Sequence, residues 1–127
     1  MKKLYFLLLL LSACSRQGGD GDSVQVLNAK DFNDRIEANA VLLDVRTPEE
    51  FTSGHIPDAI NLDYKSGNFS DRLDSLDKSK DYMVYCLSGV RSGKAADLMK
   101  EKGFNSITTL DGGMEAWVAE GLPVQHN

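Results

Sequence analysis

Short apolar runs alternate along this chain with stretches whose apolar residues recur at helical spacing. Val24 to Leu27 is the first run. Asn28 then caps a helix reaching to about Ala38, with Phe32, Ile36 and Ala29 on one face. Val41 to Val45 is a continuous apolar strand broken only by Asp44. In Thr47-Pro48-Glu49-Glu50, threonine takes the cap, proline the first helical position and glutamate the third, a capping box that opens a brief helix ended by Gly54. Ala59 to Leu62 is the next strand, and Ser70 to Leu76 makes one or two helical turns. Asp81 to Tyr85 is an apolar run, and Ser92 to Lys102 is a helix closed by Gly103. Ile107 to Leu110 is the last strand, Gly112-Gly113 a turn, and Met114 to Ala119 a helix that stops before Gly121 and Pro123. Strands alternating with helices predict an α/β domain with a central, mostly parallel five-stranded sheet and helices on both faces. In such a sheet ligands collect at the carboxyl ends of the strands.

The segment ahead of this pattern reads differently. Lys2 and Lys3 precede an apolar stretch from Leu4 to Leu11, well short of the roughly 20 residues that cross a bilayer. A basic start and small residues at the end are the layout of an export signal. Leu11-Ser12-Ala13-Cys14 resembles the lipobox of bacterial lipoproteins, which implies cleavage before Cys14 and a diacylglyceryl group on its sulfur. The alternatives are a plain signal peptide with an incidental cysteine and an uncleaved anchor. The expected organisation is therefore a signal peptide over 1–13, a lipidated cysteine and polar tether over 14–23, and one domain over 24–127, lipid-anchored on the periplasmic side of a bacterial membrane.

Charge narrows the partners. The chain carries 14 Lys plus Arg against 19 Asp plus Glu, a net −5; loss of Lys2 and Lys3 with the signal leaves 12 against 19, or −7. With no basic patch in view, nucleic acid and an anionic lipid surface are excluded as electrostatic partners. With Cys14 lipidated, Cys86 is the one thiol of the two cysteines left, so there is no internal disulfide and no thioredoxin-like relay. A structural zinc site would need more ligands than Cys86, His55 and His126 provide. No cofactor is implied.

Cys86 stands at the end of a strand and opens the loop C-L-S-G-V-R-S, which runs into a helix. Backbone N–H groups across Leu87 to Ser92 and the helix dipole can converge on its sulfur, favouring thiolate over thiol and holding an anionic substrate. Gly89 permits the tight coil this requires. Leu87, Ser88, Gly89, Val90, Arg91 and Ser92 are thus the candidate substrate-binding residues. Ser88 and Ser92 either donate hydroxyls to the reacting sulfur or serve as loop residue and helix cap. Arg91 either binds the anionic end of a donor or braces the loop against a carboxylate such as Asp44. Arg46 can line the pocket or pair with Asp44, Glu49 or Glu50 to fix its turn, and Asp44 and Arg46 are the supporting residues. His55 either bonds to backbone or carries a proton, and Trp117 packs the last helix on the sheet. An inert core cysteine is the plain alternative for Cys86.

Three motifs, taken in order, resemble the rhodanese-like domains. Leu43-Asp44-Val45-Arg46-Thr47-Pro48-Glu49-Glu50-Phe51 with Gly54-His55-Ile56-Pro57-Asp58-Ala59-Ile60-Asn61 is similar to that family's first signature, Tyr85 to Ser92 to its active-site loop, and Leu110-Asp111-Gly112-Gly113-Met114-Glu115-Ala116-Trp117 to its closing signature. The resemblance covers nearly everything from Val24 to Val124 and implies a single-domain sulfurtransferase with Cys86 as persulfide carrier. The implied donor is a small sulfur-containing anion such as thiosulfate, a polysulfide or a partner protein's persulfide; the implied acceptor is cyanide, glutathione, sulfite or a protein thiol. Two other classes use such a loop. A phosphatase or arsenate reductase of the tyrosine-phosphatase type encloses five residues between cysteine and arginine, whereas Cys86 and Arg91 enclose four, a tighter cradle suited to one sulfur atom. A non-catalytic sulfur-sensing or binding module would take up sulfur and pass it on slowly.

Overall fold

A computed structural model describes residues 23–37 and 39–127; the expected signal peptide, Cys14 and nearly all of the tether lie outside the described residues. Five strands, β1 (Gln25–Leu27), β2 (Val41–Asp44), β3 (Ile60–Asn61), β4 (Asp81–Tyr85) and β5 (Ser106–Leu110), form one sheet in the order β1-β5-β4-β2-β3. Every pairing is parallel, so the sheet is wholly and not just mostly so. The helices are α1 (Ala29–Arg35), α2 (Pro48–Ser53), α3 (Phe69–Asp74), α4 (Val90–Glu101) and α5 (Gly113–Ala119).

Burial on both faces explains the unbroken apolar runs. Along β4, Tyr82 and Val84 point to one core with Ala95, Ala96 and Met99 of α4, while Met83 and Tyr85 point to the other with Phe32 of α1 and Trp117 of α5. Trp117 is 1% exposed, sets its ring edge-on to Phe32 at 6.4 Å and donates its indole N–H to the Pro123 carbonyl at 2.7 Å. Its place is therefore in the core, as the sequence suggests.

Element ends differ from the sequence pattern where packing overrides it. α1 stops at Arg35, ahead of Ala38, because Ile36 turns extended (ψ 116°) and packs into the second core. β3 shrinks to two paired residues, although the Leu62 N–H still reaches the Asp44 carbonyl at 2.9 Å. α4 begins at Val90 rather than at Ser92, directly after Gly89. No helix among the described residues is long and apolar enough to cross a membrane.

Candidate active site

β4 lies inside the sheet between β5 and β2, and its carboxyl end delivers Cys86 to the sheet edge with its side chain 1% exposed. The chain then coils back on the sulfur: the Gly89 N–H points at Cys86 Sγ at 3.1 Å. Gly89 holds φ 108°, a left-handed conformation that costs a side-chain-bearing residue and that glycine adopts freely. Sγ lies 3.4 Å from Ser92 Oγ, and the Ser92 hydroxyl donates to the Gly89 carbonyl at 3.2 Å. In the thiol form the proton chain thus runs from Sγ through Ser92 to the backbone; rotation of the hydroxyl lets it donate to a thiolate instead. Burial pushes the Cys86 thiol up, yet the Ser92 hydroxyl and the N–H groups of Ser92, Gly89 and Ser88 outweigh it and hold the thiol below its ordinary value.

The outward carbonyls of the loop are held from the other side. Met114 N–H donates to the Cys86 carbonyl at 2.8 Å and Glu115 N–H to the Leu87 carbonyl at 3.0 Å, so the first turn of α5 clamps the loop. This close approach needs Gly113: a Cβ there would sit 2.5 Å from both carbonyl oxygens. Sequence reasoning took Gly112-Gly113 as a turn and missed this clamp.

Arg91 meets a carboxylate, but Glu50 rather than Asp44. Nη1 lies 2.7 Å from Oε1 and Nη2 3.0 Å from Oε2. The same Glu50 closes the capping box of α2, accepting from the Thr47 N–H at 3.2 Å and hydroxyl at 3.1 Å while its own N–H returns to Thr47 Oγ1 at 3.3 Å. The Arg91 hydrogen bonds, helped by Thr47 against a burial penalty, pull the Glu50 carboxyl down to about 2. Reading the motif shows Glu50 as a helix cap; nothing in its spacing announces Arg91, 41 residues on.

Arg46 takes Asp44 from the three carboxylates open to it. Its Nε lies 3.0 and 3.1 Å from the two carboxylate oxygens, and Nη2 lies 2.8 Å from Oδ2 and 2.6 Å from the Gly54 carbonyl. The Asn61 amide adds bonds to the Asp44 and Arg46 carbonyls at 3.0 and 2.9 Å. Both charges are buried, so the pair fixes the turn after β2 and joins α2 to the sheet. Arg46 also borders a cavity of about 350 Å³ with Met114, Val118, Val124 and His126, but neither Cys86 nor any residue of its loop lines it. His55 is buried, stacks on Phe51 at 3.8 Å and places Nδ1 2.9 Å from the Phe51 carbonyl, the backbone-bonded role. Among the described residues no group of three or more His, Cys, Asp or Glu side chains is placed to hold a metal.

Comparison with known proteins finds relatives across the domain. Residues 28–120 match the family model of the rhodanese-like domain. A sulfurtransferase of Allochromatium vinosum is 36% identical over 86 residues, covering 68% of this chain and 78% of that protein. The thiosulfate sulfurtransferase GlpE of Pseudomonas syringae is 41% identical over 81 residues, 64% of this chain and 74% of its own. A crystal structure of a rhodanese-related protein from Thermoplasma volcanium superposes with a TM-score of 0.73 at 32% identity, covering 81% of this chain and 99% of that one.

Proposed function

This chain belongs to the family of rhodanese-like domains, and from that premise we propose that it is a sulfurtransferase carrying sulfane sulfur on Cys86 from a donor such as thiosulfate to a thiophilic acceptor such as a thiol or cyanide. The observation that carries this reading is the Gly89 N–H aimed at Sγ at 3.1 Å in a loop that favours the thiolate. In the first step the Cys86 thiolate attacks the outer sulfur of thiosulfate. The donor S–S bond breaks, its electron pair leaves on sulfite, and Cys86 becomes a persulfide anion. In the second step a cyanide carbon or an acceptor thiolate attacks the outer sulfur, and Sγ takes back the electron pair as thiolate. Both steps place negative charge on or beside the sulfur, where N–H donors stabilise it. Intact mass of the purified protein before and after thiosulfate, then after cyanide with thiocyanate detection, tests it. A one-sulfur gain that cyanide removes is expected, and none in Cys86→Ser; an equal gain in that variant, or no gain from any sulfane donor, overturns it.

The anchoring reading belongs to the same proposal. In this reading a lipid on Cys14 holds the domain on the periplasmic side of a bacterial membrane, and what supports it is Lys2 and Lys3, the apolar stretch to Leu11 and the Leu11-Ser12-Ala13-Cys14 run. Labelled fatty acid should enter the protein made in a bacterial host and fail to enter Cys14→Ser; equal labelling of both, or of neither, refutes it.

A further inference from the structure

The loop from Cys86 to Ser92 carries one charged side chain, Arg91. A free guanidinium there would serve a dianion such as thiosulfate, since its positive charge already acts on the sulfur. It is not free. Both of its terminal nitrogens lie on the Glu50 carboxylate, at 2.7 and 3.0 Å, and Glu50 is itself fixed by Thr47. The side chains the loop does expose are uncharged, with Leu87 39% and Val90 63% exposed. The whole chain adds a net charge of −5, which repels a dianion further.

Resting on the sulfurtransferase reading, we infer that Glu50 is a specificity-determining positioning residue: by occupying both terminal nitrogens of Arg91 it cancels the loop's one side-chain cation and turns the site away from dianionic donors toward monoanionic donors with an apolar body, which Leu87 and Val90 can contact. Organic thiosulfonates are such donors. Methanethiosulfonate offers the same kind of outer sulfur as thiosulfate, and attack by the Cys86 thiolate breaks the same kind of S–S bond. The electron pair leaves on a sulfinate of charge −1 instead of on sulfite of charge −2, and the same persulfide forms.

The experiment is the ratio of kcat/KM for thiosulfate to that for methanethiosulfonate, with cyanide as acceptor, in wild type, Glu50→Gln, Glu50→Asp and the double variant Glu50→Gln/Arg91→Gln, each first melted to establish that it folds. Glutamine keeps an acceptor for the Thr47 N–H, so the cap of α2 survives. Unmasking Arg91 in Glu50→Gln is expected to raise the ratio about tenfold through the thiosulfate KM. Glu50→Asp, which keeps the charge, and the double variant, which removes both charges, should return to within about threefold of wild type. A purely structural role for Glu50 would depress both donors alike and leave the ratio unmoved. The salt dependence of wild type needs no variant: a masked Arg91 leaves kcat/KM for thiosulfate flat or rising with ionic strength, and a steep fall overturns the inference. If neither donor leaves a sulfur on wild-type Cys86, the sulfurtransferase reading fails first. If both do and the Glu50→Gln ratio stays within about twofold of wild type, the assignment of Glu50 alone falls.

Discussion

Replacing Gly113 with alanine puts a methyl carbon 2.5 Å from the carbonyl oxygens of both Cys86 and Leu87 and 2.6 Å from the Leu87 carbonyl carbon. All three are backbone atoms, so no side chain can swing aside, and either the loop or α5 must move. The residue also sits at φ 57°, where a Cβ costs about 1–2 kcal/mol by itself. Relief of the overlap adds about 1–3 kcal/mol, as overpacking of a close contact generally does. The total, roughly 2–5 kcal/mol, is a large share of the ~5–15 kcal/mol that holds a domain together. Gly121 supplies the control, because it has φ 71° but no atom within 4 Å of where its Cβ would stand. Gly121→Ala should carry the conformational cost alone. In thermal melts Gly113→Ala should fall below Gly121→Ala by at least about 5 °C, taking 1 kcal/mol as ~4–8 °C in a domain of this size. Activity should separate the two more sharply. Movement of α5 breaks the Met114 and Glu115 bonds to the loop carbonyls and lets the peptides that carry the sulfur-facing N–H groups rotate, so donor kcat/KM should drop by more than about tenfold in Gly113→Ala. Equal melting temperatures and equal kcat/KM in the two variants would refute the close-approach argument.

On the proposed sulfurtransferase mechanism, thiolate formation at Cys86 sets how the rate of persulfide formation rises with pH. Its midpoint should lie below that of an ordinary thiol, and Ser92→Ala, which removes the leading hydrogen bond opposing burial, should move it upward; superimposable pH profiles would refute that role. Asp44→Asn leaves the buried Arg46 guanidinium without its counter-charge and should destabilise the fold by about 3–5 kcal/mol in denaturant unfolding, whereas a loss under ~1 kcal/mol would show that Arg46 finds another partner or water.

The sheet was legible in the sequence because both of its faces are buried. The two-sided apolar runs at Val41 to Val45 and Asp81 to Tyr85 leave a strand few alternatives, and the Thr47 capping box marked the start of α2 to the residue. The position of Cys86 followed from the same logic, since a strand end before a glycine-containing loop and a helix has one common geometry in a parallel sheet. Contacts between loops were not legible. Strand and helix periodicity reports which face a residue shares with its near neighbours in sequence. It carries no information about where the ends of α2, α4 and α5 meet, and those meetings make the site. Asp44 was one carboxylate the sequence offered to brace Arg91, the other reading being a donor-binding role, but Arg46, two residues along, takes both Asp44 oxygens through a short turn. That leaves Arg91 to the next carboxylate at the same end of the sheet. Glu50 is there because the capping box turns its side chain back over the start of α2. One local rule therefore fixes the helix and, by the direction it gives the carboxylate, supplies the counter-charge of a loop 41 residues away. The cap and the charge balance of the Cys86 loop are coupled through a single side chain, so a substitution chosen to improve the start of α2 would also reset the electrostatics of the loop.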